Sequence, residues 1–458
     1  MTYGNKDQEQ NRLSARASRY LKVTGNAGIV AAKIFGQRLF GFEVNNTKDA
    51  TELARALGDL KGPIMKVAQL LSTIPEALPP EYAREFIRLQ ADAPSMGPSF
   101  VKRRMVAELG VNWPSRFQSF EIEAAGSASL GQVHKAVHLD DRQLACKLQY
   151  PDMQSAVEAD VNQLGVIFSI HARLNPAVNT REILKEIATR LREELNYYLE
   201  AKHMALYNNI LADNIFINVP EVFHDLSTDR LLTMTWLNGQ SIVNYKNHTL
   251  EDRNRIAKAM FHAWWYPFSH FGVIHGDPHL GNYTVFENEG RPFGINLLDY
   301  GCIRTFPPAF VKGVIDLYTG LLNNDKDKII FAYETWGFKG LTNELIDAMN
   351  IWAKFIYGPL LDDRERTIAE GVTPGEYGRK EAFAVHKILK EKGPVTIPRE
   401  FVFMDRAAIG LGGVFLNLNA KMNWYRMFNE NIKNFDLDHV TCRQSEAFAK
   451  VDVPLPVS

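Results

Sequence analysis

Cysteine is scarce in this sequence. Its three cysteines, Cys146, Cys302 and Cys442, lie far apart along the chain. A structural zinc site or a redox pair built from cysteines needs them at short spacing. We therefore expect no cysteine-based metal or redox centre, and the low cysteine count is typical of proteins from a reducing compartment.

An excess of charge of one sign is also missing. Lys and Arg number 52 against 53 Asp and Glu, which gives a formal net charge of −1, and 46% of the residues are hydrophobic. This balance argues against wholesale disorder and against a mainly electrostatic nucleic-acid binder. The chain of 458 residues is long enough for a large two-lobed enzyme. We expect no nucleic-acid partner, and the sequence indicates no oligomeric state.

Long apolar runs are absent as well. The most apolar stretches, 260–274 and 407–418, are interrupted by polar residues and fall short of the roughly 20 apolar residues that a membrane-spanning helix requires. Residues 1–10 are polar and include acids, unlike a secretory signal. The sequence predicts a cytoplasmic protein with no signal peptide and no transmembrane helix.

The N-terminal segment 1–45 is locally basic. No acidic residue lies between Glu9 and Glu43, and apolar residues are interleaved with basic ones there. As an amphipathic helix, the segment could lie on an anionic membrane surface, where each Lys or Arg contributes about 1 kcal/mol. It could equally pack its apolar side on the body of the protein. Contact with an anionic membrane surface is therefore one expectation. The basic residues are Arg12, Arg16, Arg19, Lys22, Lys33 and Arg38.

The pattern of apolar residues changes along the chain. Helical spacing with sharp proline breaks dominates up to about residue 120, where alternating and glycine-punctuated segments begin. The C-terminal third again has helical periodicity. We predict a basic segment 1–45, a helical extension 46–120, a strand-rich part 121–239 and a helical part 240–458.

The segment 275–282 carries the most chemical information. Asp277 lies five positions before Asn282, and an Asp-Tyr-Gly triplet begins at Asp299 after a mostly apolar run. In protein kinases an Asp at this spacing receives the proton of the attacking hydroxyl, while the Asn and the later Asp bind Mg²⁺. The intervening chain has room for a hairpin that turns near 288–290. Asn282 and Asp299 are therefore the predicted metal ligands.

Two upstream features complete a kinase-like pattern. Lys147 lies in the run 144–149, which ends in the alternation expected of a third strand, and it could contact the α- and β-phosphates of a nucleotide. Sequence spacing alone leaves its carboxylate partner open among Glu186, Glu193, Glu194 and Glu200. Adenine contacts are expected from 234–239, at Met234 and Leu237. The predicted glycine-rich nucleotide loop comprises Gly126, Ser127, Ala128, Ser129, Gly131 and Val133.

Together these residues predict an α+β, two-lobed protein-kinase-like fold, with a small β-rich N-lobe over 121–239 and a helical C-lobe over 240–458. With its motifs in this order, the sequence resembles the UbiB/AarF family of atypical kinases from about residue 53 to 424. The resemblance rests on 66–69 with 78–82, on 124–134, on 194–197 with Glu200, on 275–282, and on 397–401 with 405–406 and 412–413.

The resemblance assigns roles that spacing leaves open. It implies that Lys66 and Gln69, on an N-terminal helix, enter the cleft where a peptide would bind in an ordinary kinase. It implies further that the family's Glu-x-Asp motif, which pairs with that lysine, falls on Glu194 and Asn196, and that Glu200 pairs with Lys147. The regulatory residues implied by the resemblance are Lys66, Gln69, Glu194 and Asn196. Two residues depart from the family pattern: Ala68 stands where Gly is usual, and Asn196 stands where Asp is usual.

The predicted function follows from both lines of reasoning. We expect ATP and Mg²⁺ as cofactors, with Asp277, Lys147 and Lys66 as catalytic residues. The resemblance implies an ATPase or a small-molecule or lipid kinase that supports ubiquinone biosynthesis or lipid metabolism, with lipids or quinone-pathway enzymes as partners. Phosphorylation of other proteins is not expected. The alternatives are a nucleotide-gated scaffold without turnover and a phosphotransferase like aminoglycoside or choline kinases.

Overall fold

The structure is a computed structural model that describes residues 96–128, 130–174, 180–338, 340–370 and 399–456. Several predictions fall outside these residues. They are the basic segment 1–45, the part of the helical extension before residue 96 with Lys66 and Gln69, and Ser129 of the nucleotide loop.

The described chain forms two units. The first contains the described residues up to Leu199 together with Val222–Trp236. The second contains Glu200–Glu221 and the described residues from Leu237 onward. Helix α4, Tyr197–Leu211, begins in the first unit and continues in the second.

The first unit is built on an antiparallel sheet of five strands in the order β1-β3-β4-β6, with β2 paired to β3. Its strands are β1 Phe117–Phe120, β2 Gly126–Ala128, β3 Gly131–His138, β4 Gln143–Gln149 and β6 Leu231–Thr235. Its helices are α1 Pro98–Leu109, α2 Met153–Leu174 and α3 Thr180–Glu194.

Apolar side chains explain how α1 and the sheet meet. Val101 and Met105 of α1 are fully buried in one cluster with Leu144, Cys146 and Leu148 of β4. Burial of a large aliphatic side chain contributes about 1.5–3 kcal/mol, so this cluster holds β4 firmly in place. A separate apolar cluster joins α2 to α3 through Val157, Val161, Ile187, Ala188 and Leu191.

The second unit is mainly helical. Its helices are the remainder of α4, α5 Leu250–Phe271, α6 Pro308–Asn323, α7 Lys326–Thr335, α8 Asn343–Tyr357, α9 Arg399–Leu418, α10 Trp424–Ile432 and α11 Leu437–Lys450. Its strands are β5 Ile217–Asn218, β7 Gln240–Ser241, β8 Val273–His275, β9 Tyr283–Asn288, β10 Arg291–Leu297 and β11 Ile303–Thr305.

Helix α5 forms the centre of this unit. It begins after Thr249, whose side chain accepts the Asp252 amide proton, and it ends at Gly272, whose φ of 64° suits a residue without a Cβ. Trp264, Trp265 and Phe268 are buried on its inner side. The strand β8, which leads to Asp277, therefore directly follows a helix that is firmly packed.

A hairpin connects the two predicted metal ligands. Strands β9 and β10 are antiparallel, with Tyr283 opposite Leu297. The turn has positive φ at Glu289 (51°) and Gly290 (75°), the conformation of a two-residue hairpin turn. Because β9 starts right after Asn282 and β10 ends just before Asp299, the hairpin brings these residues back to one edge of the sheet.

No described helix of 18 residues or more is apolar enough to cross a membrane. The mixture of an antiparallel sheet and many helices agrees with the predicted α+β class.

Candidate functional site

The predicted nucleotide loop is the tip of a hairpin in the first unit. Gly126 pairs with Val133 and Ala128 with Gly131, so β2 and β3 run antiparallel through the loop. A Cβ on Gly131 would lie 2.3 Å from the Leu148 carbonyl oxygen, whereas a Cβ on Gly126 would meet nothing within 4 Å. Gly131 therefore has no space for a side chain, whereas Gly126 has.

Lys147 lies in the middle of the same sheet. On β4 it pairs with Val133 of β3 and Leu232 of β6. Its Nζ lies 5.3 Å from the centre of the Tyr197 ring, a cation–π distance. Lys147 thus lies on a strand that is hydrogen-bonded to a neighbour on each side. This pairing fixes the backbone from which the charged side chain extends.

The residues assigned to the family's Glu-x-Asp position lie where α3 ends and α4 begins. Glu194 is only 8% exposed and ends α3. The Oδ1 of Asn196 accepts the Leu199 amide proton at 3.0 Å, so Asn196 caps α4. Glu200 lies in the first turn of α4, in the second unit, and is 2% exposed.

Asn196 also lines a polar cavity of about 850 Å³ in the first unit. The cations around this cavity are paired within the protein. Arg192 contacts Glu158 through two nitrogen–oxygen pairs at 2.7 and 2.9 Å, and Arg230 contacts Glu108 at 2.9 Å. These ion pairs engage Arg192 and Arg230 with carboxylates of the protein itself, so neither arginine by itself identifies a ligand.

Of the two predicted adenine-contacting residues, Met234 lies on β6 and Leu237 follows it. Met234 is buried and pairs with Ala145 of β4, and the half-buried Leu237 comes shortly after the strand. In the second unit the Asn238 carbonyl accepts a hydrogen bond from Asn296 Nδ2 at 2.9 Å. Asn296 is completely buried and also donates to Thr284 Oγ1 at 2.9 Å, so it fixes this connection to β9 and β10.

The loop that carries Asp277 is held by its own histidines. The Asp277 amide donates to His275 Nδ1 at 3.3 Å, and the Gly281 amide donates to His279 Nδ1 at 3.1 Å. Asn282 Nδ2 donates to the Asp277 carbonyl oxygen at 2.9 Å. The five-residue spacing between Asp277 and Asn282 is thus closed by a direct hydrogen bond between them.

The Asp-Tyr-Gly triplet is connected to this loop. His275 Nε2 lies 2.8 Å from the Asp299 carbonyl oxygen, and because Nδ1 accepts from Asp277, Nε2 is the protonated nitrogen. The Leu298 amide donates to the Asn282 carbonyl at 3.0 Å. Asp299 Oδ1 accepts the Gly301 amide proton at 3.2 Å. The second unit therefore brings Asp277, Asn282 and Asp299 into one hydrogen-bonded arrangement.

The donor atoms at this site suit magnesium. Asn282 uses its amide nitrogen for Asp277, which leaves its oxygen as a potential ligand, and Asp299 supplies a carboxylate. Mg²⁺ prefers hard oxygen donors and is commonly bound by one or two protein side chains together with phosphates and water. In the part of the chain that the structure describes, no cluster of three His, Cys, Asp or Glu residues offers a different metal site.

The structure adds two contacts that sequence reasoning did not assign to this site. A Cβ on Gly410 of α9 would lie 2.7 Å from Pro278 Cγ, so the glycine lets α9 approach the Asp277 loop. His203 of α4 reaches the Tyr300 carbonyl through Nδ1 at 3.3 Å. The glycine-rich stretch around Gly410 indicates close packing, whereas no local pattern marks His203.

A strand lysine beside a glycine-punctuated hairpin, and an Asp–Asn–Asp set at the end of a second hairpin, recur together in protein-kinase-like proteins. The fold and the site therefore define a protein-kinase-like protein, as predicted. Residues 88–333 match the sequence model of the ABC1 atypical kinase-like domain, more than half of the chain, and this protein belongs to that family. The predicted relationship to UbiB/AarF proteins is confirmed.

Three similar proteins illustrate the relationship. The mitochondrial atypical kinase COQ8 of Saccharomyces cerevisiae is 29% identical over 55% of this chain and 50% of its own length. AarF domain-containing protein kinase 1 of Xenopus laevis is 29% identical over 63% of this chain and 57% of its own. A solved structure, the complex of Rv3197 with erythromycin from Mycobacterium tuberculosis, has a TM-score of 0.57 at 25% identity and covers 84% of this chain and 96% of that one. The chain spans about half the length of the curated relatives it matches.

Proposed function

We propose that this protein binds Mg-ATP and acts as an ATPase or as a phosphotransferase on a small molecule or lipid, in support of isoprenoid-quinone or other lipid metabolism. The observation that carries the proposal is the hydrogen-bonded arrangement of Asp277, Asn282 and Asp299 in the second unit. The metabolic assignment rests on the family relationship.

Each residue would have a distinct part. Asn282 and Asp299 would hold Mg²⁺, which when bound neutralises charge that develops on the phosphates. The hairpin tip from Gly126 to Gly131 would offer backbone amides to the phosphates, and Lys147 would add a fixed positive charge. Asp277 would orient, and accept a proton from, an acceptor hydroxyl or water. Glu200 would keep Lys147 in position, and Met234 and Leu237 would contact the adenine.

The chain after Asp299 favours a small acceptor over a protein. Residues 299–308 are all described, and β11 pairs with β8 almost immediately, with Ile303 opposite His275. Helix α6 then starts at Pro308. This leaves no long segment on which a peptide could dock, in contrast to the activation segment of ordinary protein kinases.

The decisive experiment measures ADP release by purified protein with Mg-ATP, with and without anionic liposomes. Turnover that is stimulated by liposomes and falls at least 100-fold in Asp277→Asn would support a membrane-stimulated ATPase or small-molecule kinase. The exposed Asp327→Asn in the same unit is the matched control and should keep wild-type turnover.

One other result would contradict enzymatic turnover, and another would contradict the metabolic assignment. Measurable ATP binding with no ADP release above the Asp277→Asn background would favour a nucleotide-gated scaffold. Liposome-independent phosphorylation of an aminoglycoside or of choline would favour the related small-molecule kinases. In either case the assignment of Asn282 and Asp299 to Mg²⁺ can still be tested by binding.

A further inference from the structure

We propose that His203 is a positioning residue that orients the Asp299 carboxylate through the peptide group between Tyr300 and Gly301. The inference rests on the proposed Mg²⁺ role of Asp299 and adds a residue that acts on it from α4. Three hydrogen bonds within the second unit carry it.

His203 contacts the backbone next to Asp299. Its side chain is buried, with 7% exposure, and Nδ1 lies 3.3 Å from the Tyr300 carbonyl oxygen. A carbonyl oxygen only accepts hydrogen bonds, so Nδ1 must carry the proton. Burial and the nearby Arg304 charge lower the pKa of His203 to about 4, and the ring is therefore the neutral Nδ1–H tautomer near neutral pH.

The peptide group between Tyr300 and Gly301 connects His203 to Asp299. The Tyr300 carbonyl and the Gly301 amide belong to the same planar unit, so fixing one fixes the other. The Gly301 N–H donates to Asp299 Oδ1 at 3.2 Å. A continuous hydrogen-bonded chain therefore runs from the imidazole through one peptide plane to the carboxylate, and each bond polarises the next.

The peptide group on the other side of Tyr300 is held by a second histidine. His275 Nε2 donates to the Asp299 carbonyl at 2.8 Å. Two histidines from different elements thus hold two consecutive carbonyls. His275 connects Asp299 to the Asp277 loop, and His203 connects it to α4, the helix whose first turn contains Glu200. Together they define the direction in which the Asp299 side chain leaves the backbone.

The Tyr300 side chain has its own support. Its hydroxyl donates to the Leu297 carbonyl at 3.1 Å, and its ring packs edge-on against Tyr207 at 5.6 Å. Removal of the His203 side chain should therefore leave the Tyr300 side chain in place. Only the peptide group between Tyr300 and Gly301 should become free to reorient. This separation makes the role of His203 testable apart from general stability.

The test uses side chains that move or remove the donor. In His203→Asn the amide nitrogen lies close to the position of Nδ1 and can restore the bond, whereas His203→Leu removes it. His203→Gln keeps polarity and size but puts the donor nearer the Nε2 position, and it replaces the Leu variant if that protein does not fold. His270→Leu is the matched control, because His270 is a partly buried histidine on a different helix, α5, where it contacts the Tyr266 carbonyl of its own helix at 3.2 Å.

Two measurements are needed on the full chain. One is the Mg²⁺ concentration for half-maximal tightening of ATP binding, with ATP affinity in EDTA as the reference. The other is hydrogen exchange at amides 299–304 in the metal-free protein. We expect His203→Leu to raise the Mg²⁺ requirement roughly tenfold, as for other partners of metal ligands, and to speed exchange at Gly301. Metal-free ATP affinity should stay within about twofold, and Asn should recover most of the loss.

The outcomes separate the inference from the function it rests on. An unchanged Mg²⁺ requirement and unchanged exchange in His203→Leu, or equal losses in the Leu and Asn variants, would overturn the role of His203. A loss in His270→Leu as large as that in His203→Leu would also overturn it. If the ATP affinity of the wild type does not depend on Mg²⁺, the proposed metal site is wrong. The hydrogen-exchange measurement then still decides whether His203 fixes the peptide group.

Discussion

The two segments expected to contact the nucleotide are held in different ways. The hairpin tip of the first unit, 126–131, depends on strand pairing and on space, since Gly131 lies against the Leu148 carbonyl. The segment 299–301 of the second unit depends on hydrogen bonds from side chains to the backbone, including those of His275 and His203. The first should fail when volume is added, and the second when a polar group is removed.

The largest effect is expected at the metal ligand. Asp299→Asn should abolish the Mg²⁺-dependent part of ATP affinity, a loss of at least roughly 100-fold, because the amide has no charge. Calorimetric titration of ATP with Mg²⁺ and with EDTA measures this, and the exposed Asp327→Asn is the control. A Mg²⁺ dependence that survives in Asp299→Asn would remove the assigned role.

Gly131 and Gly126 differ in the space around the position of a Cβ atom. Gly131→Ala should destabilise the protein by about 2 kcal/mol, because its Cβ would meet a backbone carbonyl that β4 holds in place. Gly126→Ala should change stability by less than about 0.5 kcal/mol. Urea unfolding measures both. Equal effects at the two positions would show that loop flexibility, rather than space, governs this hairpin.

The buried imidazole predicts a pH dependence of stability. The pKa of His203 falls from 6.5 to about 4 on folding, so the unfolded chain takes up a proton at a higher pH than the native protein. The contribution of His203 to the free energy of unfolding is therefore present in full well above pH 6.5. It decreases as the pH falls towards 4, by about 2 kcal/mol between pH 6.5 and 4.5. Metal-free wild type and His203→Asn should be unfolded in urea across this range. A slope that Asn leaves unchanged would contradict the prediction.

The smallest effect is expected at the cap of α4. Asn196→Ala should cost about 1 kcal/mol because the Leu199 amide loses its acceptor. Asn196→Asp should keep the cap and be at least as stable as wild type, since a carboxylate is favourable at a helix N-terminus. Thermal unfolding distinguishes the two, and a stable Ala variant would show that this bond contributes little.

Much of the fold was predictable because it depends on local patterns. The hairpin between Asn282 and Asp299 follows from two apolar runs around a turn, and its turn lies at Glu289 and Gly290 within the predicted region. The five-residue spacing of Asp277 and Asn282 is likewise closed within one loop. Other features bring together residues that are distant in sequence, such as Gly410 with Pro278, and no periodicity reveals them.

The role predicted for Asn196 differs from the contact that the structure shows. Its sequence position marks a departure from the family's acidic residue, and the resemblance assigns it to the regulatory pair. The described contact is a helix cap, which Asn and Asp can both provide. The regulatory role stays a prediction, because Lys66 lies outside the described residues.

The sequence by itself determined which chemical groups this protein has and in what order: a loop with glycines, a strand lysine, and an Asp–Asn–Asp set typical of an ATP-dependent kinase-like protein. Those features depend on residue type and short spacing. Only the tertiary structure decided that His203, far from Asp299 along the chain, holds the neighbouring Tyr300 carbonyl, and that Gly131 rather than Gly126 has no space for a side chain. Hydrogen-bond direction and close packing depend on distances in space, which the order of residues does not specify.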